Sequence, residues 1–280
     1  MKGRIFLLLA VLVLAVLALS SCHNDNELKY IDIQLTNEDY AFGVNKDNSE
    51  LLNEANLLLA EIKENGQLDE IIDKYVTNDS SRFVTVDAGK ARAQEKTLVV
   101  ATHIPFSPFE YKIGSRYCGI DIEIASLLAK RLDATLVVKE VNFNEILDCI
   151  QNGEADIAMS GISVSEPRKE KVAFTDTYFK AAQVIVARKS DTVFDKCQDA
   201  SDVEEILLEK SKQIKVGYQS GTTSQNYIIG DTKSGYNGFS VVSVPYESAL
   251  DAAEALRNGE IDYVVVDRRH AQAIVEALNK

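Results

Sequence analysis

The stretch "ADIAMSGISVSEPRK" (155–169) places an arginine and several hydroxyl groups directly after an apolar run. The run Ala155–Ser160 is typical of a buried strand, and the residues that follow it are small and polar. The guanidinium of Arg168 stays charged and can bind a carboxylate through two parallel hydrogen bonds. This pattern indicates a carboxylate-binding group at a strand end, and a surface arginine on a short helix is the alternative.

Strands and helices alternate on both sides of this stretch. We predict strands at 97–102, 134–141, 155–160, 181–188, 214–218, 240–244 and 262–267, and helices at 121–132, 144–152, 202–210, 248–258, 268–279 and from near Ser224. Apolar strands that alternate with helices are typical of parallel sheets covered on both faces. The pattern restarts near Ala181, which favours two α/β lobes over one sheet.

The preceding residues form a separate block. Strands are predicted at 29–35 and 40–44, a helix with N-cap Ser49, and a second helix at 67–75. Residues 76–96 show little periodicity and are predicted to be a linker.

The first residues predict export. Lys2 and Arg4 precede fifteen apolar residues, Ile5–Leu19, which suits a signal-peptide core and is short for a membrane span. The following "LSSC" resembles the lipobox of bacterial lipoproteins. That resemblance implies a signal peptide at 1–21, a lipid on the sulfur of Cys22 and a tether at 22–27. An ordinary secretory signal with an incidental cysteine is the alternative.

Composition argues against two other classes of protein. The formal net charge of -13 disfavours a nucleic-acid binder. With three histidines and neither a CxxC nor an HExxH motif, we expect no metal site and no cofactor. Cys118, Cys149 and Cys197 are too few for a disulfide framework.

Five segments in order identify a family resemblance. They are "TLVVATHIPFSPFEY" (97–111), "GIDIEIASLLAKRL" (119–132), "NGEADIAMSGISVSEPRKEKVAFTDTYF" (152–179), "VGYQSGTTSQNY" (216–227) and "LRNGEIDYVVVD" (256–267). The chain resembles the polar-amino-acid-binding proteins of bacterial ABC transporters, solute-binding protein family 3, over nearly all of residues 28–280. The resemblance implies an α/β, two-lobed periplasmic-binding-protein fold of type II (Venus flytrap) with two hinge strands.

The order of the segments differs from that of the family. The block 39–76 resembles the family's C-terminal end but comes first here, and the family's opening strand starts only at Thr97. The chain therefore resembles a circular permutant in which the linker 76–96 joins the old termini. This predicts lobe 1 at 39–180 and lobe 2 at 28–38 plus 181–280, with hinge strands near 35–42 and 180–186.

The resemblance also assigns a clamp for an amino-acid backbone. Arg168, assisted by Ser163, is expected to bind the carboxylate, together with the N–H of Thr223 from the opposite lobe. Asp267 is expected to accept from the ammonium, with the Gly161 carbonyl and the Ser163 hydroxyl as further acceptors. The alternatives are a plain turn for "SGTTS" (220–224) and a helix cap for Asp267. The residues expected to contact the ligand's backbone are Ser160, Gly161, Ser163, Arg168, Thr222, Thr223 and Asp267.

Four further residues are expected to contact the ligand's side chain: His103, Phe106, Phe143 and Gln219. Core packing is the alternative for the two phenylalanines, and a hydrogen-bonded loop position is the alternative for His103. By the resemblance, relatives that bind basic amino acids commonly carry a carboxylate at the position of His103, so we predict a polar neutral, aromatic or acidic ligand rather than arginine or lysine. Tyr40 is expected only to pack.

The resulting prediction is a monomeric, extracytoplasmic, lipid-anchored protein that binds a free L-amino acid and delivers it to an ABC permease. It is not expected to be an enzyme or to bind nucleic acid. Two alternatives remain open: a dehydratase of the same fold acting on prephenate or arogenate, and an amino-acid sensor without a transport role.

Overall fold

The computed structural model describes residues 26–89 and 95–280 as two five-stranded sheets connected by a two-stranded ribbon. The predicted signal peptide, Cys22 and most of the tether lie outside the described residues. The strands are β1 (Leu28–Ile31), β2 (Glu38–Tyr40), β3 (Gly43–Val44), β4 (Thr97–Thr102), β5 (Tyr111–Ile113), β6 (Arg116–Cys118), β7 (Thr135–Glu140), β8 (Ile157–Ala158), β9 (Ala173–Phe174), β10 (Phe179–Ala181), β11 (Gln183–Arg188), β12 (Lys215–Gln219), β13 (Val242–Tyr246) and β14 (Tyr263–Asp267). The helices are α1 (Ser49–Glu64), α2 (Gln67–Val76), α3 (Ile120–Arg131), α4 (Ile146–Gln151), α5 (Glu166–Lys171), α6 (Ala200–Lys210), α7 (Thr223–Ile229), α8 (Ala249–Arg257) and α9 (Arg268–Leu278).

Each sheet is the centre of one lobe. The sheet of lobe 1 has the order β7-β4-β8-β3-β9, and the sheet of lobe 2 has the order β1-β11-β14-β12-β13. The predicted parallel pairing is present among β4, β7 and β8 and among β12, β13 and β14, but both sheets are mixed. Strand β3 runs antiparallel to β8 and β9, and β11 runs antiparallel to β1 and β14. These strands adjoin the segments that cross between the lobes, so they enter each sheet against the direction set by the βαβ units.

The two lobes are connected by the antiparallel ribbon of β2 and β10, in which Tyr40 faces Phe179 and Glu38 faces Ala181. Strand β2 continues into β3 of lobe 1, and β10 continues into β11 of lobe 2. The chain therefore crosses between the lobes on two adjacent strands, an arrangement that can act as a hinge.

Helices α1 and α2 belong to the core of lobe 1. The apolar residues of α1 recur at helical spacing and are buried at Leu51, Ala55, Leu58, Leu59 and Ile62. They share a hydrophobic cluster with Leu98 of β4 and Ile120 of α3. Ser49 is the first helical residue and Asn48 is the N-cap, because the Asn48 side chain accepts from the N–H of Leu51 at 3.1 Å.

The predicted linker is packed where it is described. Phe83 stacks on Tyr75 with ring centroids 4.7 Å apart, and Val86 exchanges backbone hydrogen bonds with Tyr117 of β6. The hairpin of β5 and β6 was not predicted. Between residues 26 and 280, leaving out 90–94, no helix combines the length and apolarity needed to cross a membrane. The same residues contain no cluster of three or more metal-ligating side chains.

Candidate functional site

A small cavity lies between the lobes and brings together all the predicted ligand-contacting residues. Sequence reasoning missed five further lining residues. The lining consists of Tyr40, His103, Phe106, Phe143, Ser160, Gly161, Ser163, Arg168, Gln183, Gln219, Thr222, Thr223, Ser224, Ala249, Val266 and Asp267.

Two buried carboxyl groups hold the strand end after β8. Ser160 Oγ donates to Glu110 Oε1 at 2.6 Å, and the N–H of Gly161 donates to Asp121 Oδ2 at 2.9 Å. Burial raises the pKa of Asp121 to about 7, and burial together with Asp121 raises the pKa of Glu110. Gly161 has φ +51°, and a Cβ there would lie 2.5 Å from Phe106 Cε1, so this position requires glycine.

Arg168 connects the two lobes. Its guanidinium donates to the Ser163 carbonyl of lobe 1 at 2.8 Å and to the Gly221 carbonyl of lobe 2 at 3.0 Å. The guanidinium carbon also lies 5.5 Å from the centroid of the Phe143 ring. No described carboxylate forms an ion pair with Arg168, and two bonds leave three of its five N–H donors for another acceptor. The site therefore contains an arginine that can still bind an anion.

Ser163 is positioned by a carboxylate that sequence reasoning missed. Its hydroxyl donates to Glu38 Oε2, and it accepts from Thr223 Oγ1 at 3.2 Å. Glu38 also accepts from Gln183 Nε2 at 2.9 Å, and Gln183 Oε1 accepts from Ser224 Oγ at 2.7 Å. Because the hydroxyl proton of Ser163 is directed to Glu38, its oxygen acts as an acceptor towards the cavity.

Asp267 caps α9, as the structural alternative expected, and it also lines the cavity. Its Oδ1 accepts from the N–H groups of Arg269 and His270 at 2.9 and 3.2 Å, and its Oδ2 accepts from the Tyr40 hydroxyl at 2.8 Å. Burial raises the pKa of Asp267 to about 6. The expectation that Tyr40 only packs is wrong, because its hydroxyl orients this carboxylate.

The segment Ser220–Ser224 forms a turn and the start of α7 in lobe 2. Thr222 Oγ1 donates to the carbonyl of Gln219 at 2.7 Å. Gly221 has φ +77°, and a Cβ there would lie 1.7 Å from Asn144 Oδ1 of lobe 1. The positive φ favours glycine at this position, and any side chain there would have to displace the Asn144 side chain of lobe 1.

The remaining predicted residues line the cavity from both lobes. His103 follows β4, and its ring lies edge-on to Phe143 with centroids 6.3 Å apart. Phe106 stacks on Phe109 at 5.1 Å, so it packs in the core of lobe 1 as well as lining the cavity. Gln219 ends β12 in lobe 2 and is buried.

His270 makes a further contact between the lobes. Its Nδ1 lies 2.9 Å from the Ser107 carbonyl oxygen, and its ring lies against Phe106 with centroids 4.7 Å apart. Burial lowers the pKa of His270 to about 4, while an unfolded chain would titrate near 6.5. The neutral His270 ring therefore makes its full contribution to the free energy of unfolding above pH 6.5. That contribution is lost as pH falls from 6.5 towards 4.

We expect the stability contributed by His270 to fall by roughly 3 kcal/mol across that window. The measurement is the free energy of unfolding by denaturant at pH 7 and pH 4.5, for the wild type and for His270→Asn. Asparagine retains a donor for the Ser107 carbonyl but does not titrate. The wild type should lose more stability than the variant, and equal losses would contradict the prediction.

The chain has two α/β lobes, and an arginine and a carboxylate line one cavity between them. These features are those of the periplasmic-binding-protein fold of type II. The model of the family "Bacterial extracellular solute-binding proteins, family 3" matches residues 98–280, and the chain belongs to this family.

Individual comparisons agree with this assignment. The arginine-binding extracellular protein ArtP of Bacillus subtilis (strain 168) is 30% identical over 143 residues, which span 48% of this chain and 54% of that protein. The chain thus matches about half the length of this relative. Among solved structures, an ancestral arginine-binding protein bound to arginine has a TM-score of 0.56 at 31% identity and covers 67% of this chain and 77% of that one. The ancestral amino-acid-binding protein AncCDT-1, a precursor of cyclohexadienyl dehydratase, has a TM-score of 0.55 at 26% identity, covering 75% and 78%.

Proposed function

We propose that this protein is an extracytoplasmic lipoprotein that binds a free L-amino acid and delivers it to an ABC importer. One observation carries the proposal: Arg168 and Asp267, on different lobes, line the same cavity, and Arg168 has no ion-pair partner among the described residues. An amino acid presents a carboxylate and an ammonium close together, and these two side chains match that pair of charges.

The clamp has a defined assignment of donors and acceptors. Arg168 and the N–H of Thr223 bind the carboxylate. Asp267 and the Gly161 carbonyl bind the ammonium, and Ser163 Oγ joins them because its own proton is directed to Glu38. The ligand is a polar neutral, aromatic or acidic amino acid rather than a basic one, since the cavity lining contains no carboxylate besides Asp267. Because both lobes contribute, the ligand favours closure about the β2–β10 ribbon.

The proposal includes the permuted order and the domain boundaries 39–180 for lobe 1 and 28–38 plus 181–280 for lobe 2. Two observations support it. Helices α1 and α2 share a core with β4 and α3, which follow them in the chain. The family model also begins at residue 98, next to the first residue of β4. The lipid anchor on Cys22 rests on the "LSSC" motif.

The test is calorimetric titration of the soluble fragment 27–280 with the twenty amino acids, cystine and ornithine. The fragment is unfolded and refolded first to remove any ligand carried through purification. Binding at micromolar concentrations or below by one chemical group of amino acids is the expected result. A folded protein that binds none of them would contradict the proposal.

A dehydratase is the second candidate, because AncCDT-1 is a structural neighbour. Dehydration needs an acid directed at the leaving hydroxyl. The buried acid Glu110 bonds to Ser160 and is not among the lining residues, which makes it a poor candidate. Turnover of prephenate or arogenate would establish the enzyme, and we expect none.

A further inference from the structure

We propose that the preferred ligand carries a carboxamide side chain, as in glutamine and asparagine, and that His103 and Gln219 select it. The inference rests on the proposed amino-acid-binding function and narrows its ligand class. It starts from two buried polar atoms that have no hydrogen-bond partner among the described residues, His103 Nε2 and Gln219 Nε2. Both side chains line the interlobar cavity.

The hydrogen-bonding role of His103 follows from its surroundings. Its Nδ1 lies 3.1 Å from the Val141 carbonyl oxygen. A carbonyl oxygen only accepts, so Nδ1 carries a proton. Burial lowers the pKa of His103, which favours the neutral ring. Nε2 then has a free lone pair, and a ligand meets it best with a donor.

Gln219 supplies the complementary group from the opposite lobe. The residue is only 6% exposed, and its amide nitrogen can donate two hydrogen bonds. A buried polar group without a partner is costly, so a ligand that satisfies both atoms gains affinity over one that satisfies neither.

A carboxamide meets both requirements with two different atoms. Its NH₂ donates to His103 Nε2, and its carbonyl accepts from Gln219 Nε2. A carboxylate would place an acceptor against the lone pair of His103, and a lysine or arginine side chain would bring a positive charge, for which the only carboxylate among the lining residues is Asp267. A hydroxyl can donate and accept, but it does so through a single oxygen. That oxygen would have to lie within hydrogen-bond distance of both His103 and Gln219, which are on different lobes. A carboxamide is also neutral, so it needs no countercharge from the cavity lining.

The test compares affinities of the full-length protein for glutamine, asparagine, glutamate, arginine and histidine by calorimetry. We expect glutamine or asparagine to bind at least 10-fold tighter than the other three. A tighter affinity for glutamate, arginine or histidine would overturn the inference while leaving the proposed function intact. No binding by any amino acid would overturn the proposed function itself.

A matched pair of variants tests the roles of the two residues. Gln219→Glu replaces the donor by a carboxylate and should weaken glutamine binding at least 10-fold relative to arginine binding. The same change at the exposed Gln151, at the end of α4, should leave the ranking unchanged. An unchanged ranking in Gln219→Glu would overturn the assignment of Gln219. If that variant does not fold, the ranking in the wild type still decides the inference.

Discussion

Replacing Arg168 with alanine is expected to weaken amino-acid binding by two orders of magnitude or more. The variant loses the charged partner of the ligand carboxylate, which is worth roughly 3 kcal/mol in a buried pair. It also loses the bond to the Ser163 carbonyl within lobe 1 and the bond to the Gly221 carbonyl of lobe 2. Calorimetric titration of wild type and variant with the ligand of highest affinity measures the change.

Two further variants separate the causes of this loss. Arg168→Lys keeps the charge but not the planar fork, so its affinity should fall between that of wild type and alanine variant. Arg82→Ala removes an arginine that pairs with Asp79 on the surface and should not change the affinity. A dissociation constant unchanged in Arg168→Ala would remove this residue from the site.

Replacing Asp267 with asparagine is expected to weaken binding on the order of 100-fold. The amide oxygen can still accept from the N–H groups that begin α9, so the helix cap and the fold should survive. The negative charge that we propose pairs with the ligand ammonium is lost. The comparison requires dissociation constants and melting temperatures for both proteins.

The same residue predicts a dependence on pH. Burial raises the pKa of Asp267 to about 6, and only its ionised form pairs with an ammonium. The affinity of the wild type should therefore fall as pH drops from 7.5 to 5. The affinity of the Asp267→Asn variant should decrease less over the same pH range, because asparagine does not titrate. Parallel pH profiles for the two proteins would assign ammonium recognition to another group.

The sequence was sufficient to predict site residues that directly follow strands in the segments that resemble the family. Ser160 and Gly161 follow β8 of lobe 1 and Asp267 ends β14 of lobe 2, and the family resemblance predicted all three as site residues. Contacts made through the ribbon were not predictable in this way. The Tyr40 hydroxyl reaches Asp267 across 227 positions of the chain, and Glu38 reaches Ser163 across 125.

The direction of each strand could not be predicted from the sequence pattern either. A short apolar run such as β11 has the same composition whether its neighbours are parallel or antiparallel. Its direction is set by the preceding crossing from lobe 1, which is a non-local property. Similarly, Asn48 and Ser49 are both good N-cap residues, and only the side-chain geometry decides between them.

The bond from Arg168 of lobe 1 to the Gly221 carbonyl of lobe 2 has a kinetic consequence. It joins protein to protein, so it resists opening whether or not a ligand is bound. A ligand can enter only after this bond breaks, and each entry must wait for that event. As ligand concentration rises, the observed association rate should cease to increase and reach a ceiling set by the frequency of opening. The residue that secures the ligand would then also limit how fast it is captured.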